Sequence, residues 1–162
     1  MPCQRRTGAI RDDLRSPENY LGHERTENFS SSVAASAGER RVYPEPAPLE
    51  LNHWAPSGDW TMGQKVLTLN REGGRITYRF HARDLHIVMG VGVPDAAVRF
   101  CVRLDGRPPG AAHGIDVDEH GDGTLREPRM YQLIRQPKAI VDRDFEIEFL
   151  AAPVEAFSFT FG

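Results

Sequence analysis

The sequence predicts an all-β protein, an antiparallel β-sandwich preceded by an extended N-terminal arm. Three observations carry that prediction. Four separate segments alternate apolar and polar residues with a period of two, turn-forming residues punctuate the chain at short intervals, and no segment shows a helical stripe of useful length. Fifteen glycines and twelve prolines in 162 residues favour many short elements over a helical bundle. A hydrophobic content of 40% and a charged content of 27% suit one globular domain with a tail.

Residues 1–15 read as a polar tail without a sustained apolar period. Residues 16–48 are rich in Ser, Glu, Pro and Gly and read as an extended linker or docking arm, anchored by isolated aromatics such as Tyr20 and Phe29. Pro44, Pro46 and Pro48 resist both helix and central strand, so the β-sandwich module is expected over 49–162. Its first candidates are Leu49–Trp54 and Asp59–Gly63, with "APSG" between them as a turn, and then Lys65–Leu69.

"RITYRFH" is clearer, with Ile76, Tyr78 and Phe80 on one face and Arg75, Thr77, Arg79 and His81 on the other. Leu85–Met89 is a weaker strand candidate. "AVRFCVRLDG" sets Val98, Phe100, Val102 and Leu104 against Arg99, Cys101 and Arg103. Gly114–Val117 and Met130–Arg135 are again weaker. "DFEIEFL" turns Phe145, Ile147 and Phe149 inward, and "EAFSFTFG" does the same with Phe157, Phe159 and Phe161. Turn chemistry at 70–74, 104–110 and 119–123 separates these runs. About nine or ten short strands with inward aromatics suit two sheets packed face to face, with a jelly roll favoured among sandwich topologies.

Several function classes are disfavoured. A net charge of −3 argues against a nucleic-acid or anionic-membrane binder, and apart from Lys65 and Lys138 all 20 basic residues are Arg, which reads as compositional bias. No run approaches the roughly 20 apolar residues of a spanning helix. The N-terminus has no secretory apolar stretch, so the chain as written is expected in the cytoplasm. Cys3 and Cys101 form no Cys-x-x-Cys or zinc-type spacing, and a disulfide between them is disfavoured. The histidines at 53, 81, 86, 113 and 120 lack a ligand spacing, and neither a nucleophile elbow nor a phosphate loop occurs.

Two stretches qualify as candidate sites. In "LNHWAPSGDWTMG", Trp54 and Trp60 with His53 and Asp59 could display indoles to the C–H face of a sugar. The competing reading makes Trp60 core and has Trp54 seal the sheet edge. In "DVDEHGDGTLRE", Asp116, Asp118, His120, Gly121, Thr124 and Glu127 fall at positions one, three, five, six, nine and twelve of an EF-hand loop, with Asp122 between them. A structural calcium is the only cofactor this suggests. His120 displaces an oxygen ligand and the flanks are not helical, so the competing reading is a hairpin turn.

Six segments in one order, "SPENYLGHERTENFSS", "LNHWAPSGDWTMG", "YRFHARDLHIVMG", "LDGRPPGAAHGIDVDEHGDGT", "RMYQLIRQ" and "FSFTFG", together resemble the C-terminal domain of DipZ-type thiol-disulfide proteins. The resemblance spans Ser16 to Gly162. It implies a sandwich like a carbohydrate-binding module, following an extracytoplasmic thioredoxin-like domain whose Cys-x-x-Cys performs the redox work. This chain has no Cys-x-x-Cys, so no catalytic residue carries over, and the chain is expected to be a fragment or the product of a split gene. What the resemblance implies is a non-catalytic accessory module, binding a glycan, an envelope polymer or a protein partner beside a thioredoxin-like domain. The alternative is a purely structural docking domain that binds no sugar, motivated by the expected exposed, non-ionic strand face of Ser158 and Thr160.

Overall fold

The computed structural model describes residues 13–162. Most of the expected polar tail lies outside the described residues, as does Cys3 with the disulfide considered for it. The strands are β1 (Asn19–Tyr20), β2 (Arg40–Tyr43), β3 (Trp54–Met62), β4 (Leu67–Leu69), β5 (Arg75–Phe80), β6 (Asp84–Gly90), β7 (Val98–Leu104), β8 (Asp122–Leu125), β9 (Arg129–Arg135), β10 (Arg143–Phe149) and β11 (Val154–Phe161). All pair antiparallel, in two layers that share β3. The first layer runs β8-β7-β10-β5 to the start of β3, and the second runs from the end of β3 through β4-β11-β6-β9. From β5 onward every connection except β7–β8 crosses between layers, the winding of a jelly-roll sandwich.

The four clear alternations become β5, β7, β10 and β11, and for the first three the inward sets are those of the sequence pattern. Ile76, Tyr78, Phe80, Val98, Phe100, Val102, Leu104, Phe145, Ile147 and Phe149 are all at most 2% exposed. Each contributes roughly 1.5–3 kcal/mol of transfer free energy, the driving force for stacking the layers. Tyr78 and Phe159 meet across the core at 4.8 Å between ring centroids, and Phe145 reaches Phe159 edge-on at 5.9 Å. The Tyr78 phenol accepts a hydrogen bond from Asn19 Nδ2 at 3.2 Å, and burial pushes its pKa up to about 12.

Strand β11 departs from its pattern. A bulge between Ala156 and Ser158 shifts the phase, so Ala156 and Phe159 are buried while Phe157 is only half-buried. The expected turn at "APSG" is likewise absent. Trp54–Ser57 pairs with β5 and Trp60–Met62 with β4, so β3 is one strand that changes layer. It bends at Gly58, whose φ of 98° is open to glycine and strained for other residues. Leu49–His53 is turn and coil, not strand. Gly114–Val117 is also no strand. It lies along β9, where the Gly114 and Asp116 N–H groups donate to Leu133 O and Gln132 O at 2.8 and 3.1 Å and cover that edge.

The boundary expected near Leu49 does not hold either. Strand β1 pairs with β11 and β2 with β3, and Leu21 and Tyr43 of the arm are buried at 0% and 2% exposure. Phe29 packs edge-on against Trp54 at 5.3 Å and Tyr43 at 6.0 Å, so it anchors the arm as expected. Gly22 has no room for a Cβ, because the Gln64 and Lys65 backbone lies directly against it. The proline-rich stretch does stay out of the sheets. Glu45 to Leu49 wall a groove over the outer face of the first layer, opposite Arg75, Thr77 and Glu146. No helix among the described residues is long and apolar enough to cross a membrane.

Candidate docking face

The four residues of the tryptophan stretch do not converge on a surface. Both indoles are 0% exposed. Trp54 donates from Nε1 to Thr26 Oγ1 at 3.0 Å, and Trp60 donates to Ser57 O at 2.8 Å, so each polar edge is satisfied inside the protein. Six residues of extended strand hold the rings up to about 20 Å apart. Asp59 is occupied by Arg40, whose Nε and Nη2 donate to its two oxygens at 2.8 and 2.7 Å. That hydrogen-bonded guanidinium holds the Asp59 carboxyl below its usual range. His53 Nδ1 lies 2.6 Å from Ser30 Oγ. An exposed indole platform is therefore not available, because β3 turns both rings into the interlayer space.

The EF-hand-like spacing does not gather oxygens around one point. Asp116 accepts from Arg129 Nη2 at 2.8 Å and Nη1 at 3.2 Å and from the Gln132 N–H at 2.7 Å. Burial opposes its charge, but these hydrogen bonds outweigh it and hold the carboxyl below its usual range. Glu127 accepts from Nε of the same Arg129 at 3.2 Å. The first and twelfth positions of the loop thus converge on a guanidinium, which also lies 3.7 Å over the Tyr131 ring. Asp118 Oδ1 caps the N–H groups of His120 and Asp122 at 2.9 and 3.0 Å, the hairpin-turn chemistry of the competing reading. The Asp122 side chain is exposed on the edge strand β8. No group of three or more His, Cys, Asp or Glu among the described residues stands close enough to hold a metal ion.

The outer faces of the two layers differ sharply in chemistry. The first layer carries a ladder of ion pairs. Arg75 meets Glu45, Glu146 and Glu148 at 3.2, 3.6 and 3.6 Å, and Arg79 meets Asp144 and Asp142 at 3.1 and 3.8 Å. Cys101 is half-buried on this face, and burial, reinforced by Asp122 and Glu148, pushes its thiol up and keeps it protonated at neutral pH.

On the second layer, the register aligns Met130, Val88, Ser158 and Tyr20 across four strands, and beside them Gln132, His86 and Thr160. None of these seven is a lysine, arginine, aspartate or glutamate. Thr160 Oγ1 lies 3.5 Å from Met130 Sδ, so the two rows touch. Burial, aided by Arg135 against the pull of Asp84, lowers the His86 pKa and keeps the imidazole neutral at pH 7. Met130 is 43% exposed, and at the margin Ile115 is 80% exposed. At the Tyr20 end a cleft of about 260 Å³ opens among Tyr20, Phe157, Gly22, Arg25 and Lys65. At that end charges reach the face itself, since Arg25 lies 4.1 Å over the Tyr20 ring and Glu18 accepts from the Tyr20 hydroxyl at 2.8 Å. Of the residues in the two rows the sequence pattern marked Ser158 and Thr160 as exposed; Thr160 is half-buried, but Ser158 is buried at 7% exposure because the bulge shifts the phase of β11. The signal for the others was present: the outward positions of "HIVMG" and "MYQLI" carry no ionised side chain.

Comparison with known proteins gives one strong result. A family model described as "Thioredoxin like C-terminal domain" matches residues 16–162. No curated protein matches the chain. Among solved structures, a family two carbohydrate esterase from Cellvibrio japonicus is similar with a TM-score of 0.52 and 14% identity, over 68% of this chain and 30% of that one. A family 6 carbohydrate-binding module is similar over 60% of this chain and 72% of its own, at 16% identity and a TM-score of 0.35. CsCBM6-3 from Clostridium stercorarium, in complex with cellobiose, has 17% identity and a TM-score of 0.31 over the same shares. At such identities the likeness concerns the fold, and the chain spans only 30% of the esterase's length.

Proposed function

The chain belongs to the family of thioredoxin-like C-terminal domains, and from that premise we propose that it is a non-catalytic accessory module that docks on a thioredoxin-like domain. The docking surface is the uncharged outer face of the second layer. The observation that carries this reading is the asymmetry between the two outer faces. Covering the first layer would desolvate a ladder of ion pairs at a cost of several kcal/mol per unrepaid charge. Covering Met130, Val88, His86, Gln132 and Thr160, with the already buried Ser158 between them, buries apolar and neutral polar surface flanked by charges such as Arg25 at the Tyr20 end, the usual anatomy of a protein interface. A sugar-binding role through Trp54 and Trp60 would need exposed rings that β3 does not provide.

In this role the module holds the redox domain in place for thiol-disulfide exchange, as in the extracytoplasmic DipZ-type proteins that the sequence resembles, and itself supplies no thiolate. The test is a titration of the isolated chain with the thioredoxin-like domain of a full-length family member, followed by calorimetry. Val88→Glu and Met130→Glu should each weaken binding by about tenfold or more, since each places a charge in the desolvated centre, while the melting temperature holds. Absence of binding, or binding indifferent to both changes, would overturn the docking assignment. The isolated chain should also leave insulin disulfides unreduced. Turnover in a sample free of thioredoxin would refute the non-catalytic assignment.

A further inference from the structure

Where the arm meets the sandwich, four hydrogen bonds close a ring. The Arg15 N–H donates to His81 O at 2.9 Å, and the His81 N–H donates to Ser16 Oγ at 2.8 Å. Ser16 Oγ donates in turn to Asn52 Oδ1 at 2.5 Å, and Asn52 Nδ2 donates to Arg15 O at 2.9 Å. Ser16 is 3% exposed, so the bond from the His81 N–H to its hydroxyl is shielded from water, while the bond from Asn52 to Arg15 O closes the ring at the surface. Asn52 holds a left-handed φ of 65°, a region asparagine tolerates better than most residues, and its own N–H is tied to Arg79 O at 2.7 Å. Beneath the ring, the buried His81 side chain sets Nδ1 2.6 Å from Asp142 Oδ1. A flexible linker leaves its backbone groups to solvent. Here both backbone groups of Arg15 and the side chain of Ser16 are consumed by the 51–52 turn and the end of β5.

We propose that this ring is a rigid joint, which fixes the orientation of whatever is joined to the chain before Arg15 relative to the sandwich. The joint stands between β5 and β6, beside the β6 end where Asp84 pairs with Arg135. One pair further along β6, past Leu85 and Ile134, lies the row of His86, Gln132 and Thr160. If the docking reading above holds, and this clause alone rests on it, the joint starts an N-terminally joined domain beside the end of β6, the strand that carries His86 and Val88 of the uncharged face.

The joint is tested without any partner, by backbone amide relaxation of the whole chain in solution. The Arg15 and Ser16 amides should show order parameters near 0.85, as in the core strands. Asn52→Gly keeps the left-handed backbone and deletes only the amide side chain. It should lower both values below about 0.6 and speed exchange of the Arg15 amide about tenfold, with β10 and β5 unchanged. Ser16→Ala removes two of the four bonds from the other side and should act in the same direction, which keeps the test decisive if one variant folds poorly. Flexible order parameters at Arg15 in the unaltered chain would overturn the proposal. So would rigid values there in every folded variant. Failure of docking would leave these readouts untouched.

Discussion

At the scale of single residues, Arg129 shows how a spacing can suggest one chemistry while the side chains perform another. Its guanidinium lies between Asp116 and Glu127, where the loop pattern would set an ion, and it brings its own charge. Arg129→Ala should destabilise the fold by about 1–2 kcal/mol, since Asp116 keeps only the Gln132 N–H and Arg129 is itself partly exposed. The pH dependence has a definite sign. The folded pKa of Asp116 is depressed, so its contribution is fully present above the unfolded value near 3.8 and fades as pH falls through the lower folded value. Denaturant unfolding from pH 7 to pH 3 should therefore show a shallower acid loss for Arg129→Ala than for the unaltered protein. Equal slopes would remove Asp116 from the acid response. Calcium and exhaustive chelation should both leave the melting curve in place, because mass action needs a site. A shift upward with calcium would restore the ion-binding loop.

At the scale of elements, β11 is the instructive strand. Its three phenylalanines look equivalent in sequence, yet the bulge after Ala156 buries Phe159 completely and leaves Phe157 at the rim of the cleft. Phe159→Ala should cost about 3–5 kcal/mol, the range for truncating a large aromatic in a packed core. Phe157→Ser should cost less than about 1 kcal/mol. Chemical denaturation of the two variants separates them, and equal losses would place Phe157 in the core after all. Strand β3 makes the same point in another way. An Ala-Pro-Ser-Gly run has the composition of a turn, but here β5 and β4 pair with its two halves and Gly58 supplies only a bend. Local propensity is a weak prior where long-range pairing competes with it.

At the scale of the molecule, the arm and the sandwich are one folding unit from Asn19 onward. Leu21, Phe29 and Tyr43 pack against a core that includes Trp54, so the arm completes the core and does not merely dock on it. The asymmetry of the two outer faces emerges only at this scale, because each face collects single outward residues from strands far apart in the chain. The candidate face draws on Tyr20, Val88, Met130 and Ser158, brought together by β1, β6, β9 and β11.

The sequence by itself determined the all-β class, the inward sets of β5, β7 and β10, and the family, since period-two burial and an ordered series of motifs are local properties. Only the tertiary structure decided that both indoles are core, that a guanidinium bridges the acidic loop, and where the neutral face and the Ser16–Asn52 ring lie. Those features depend on contacts between residues distant in sequence, and their energies arise only when the two layers close on one another.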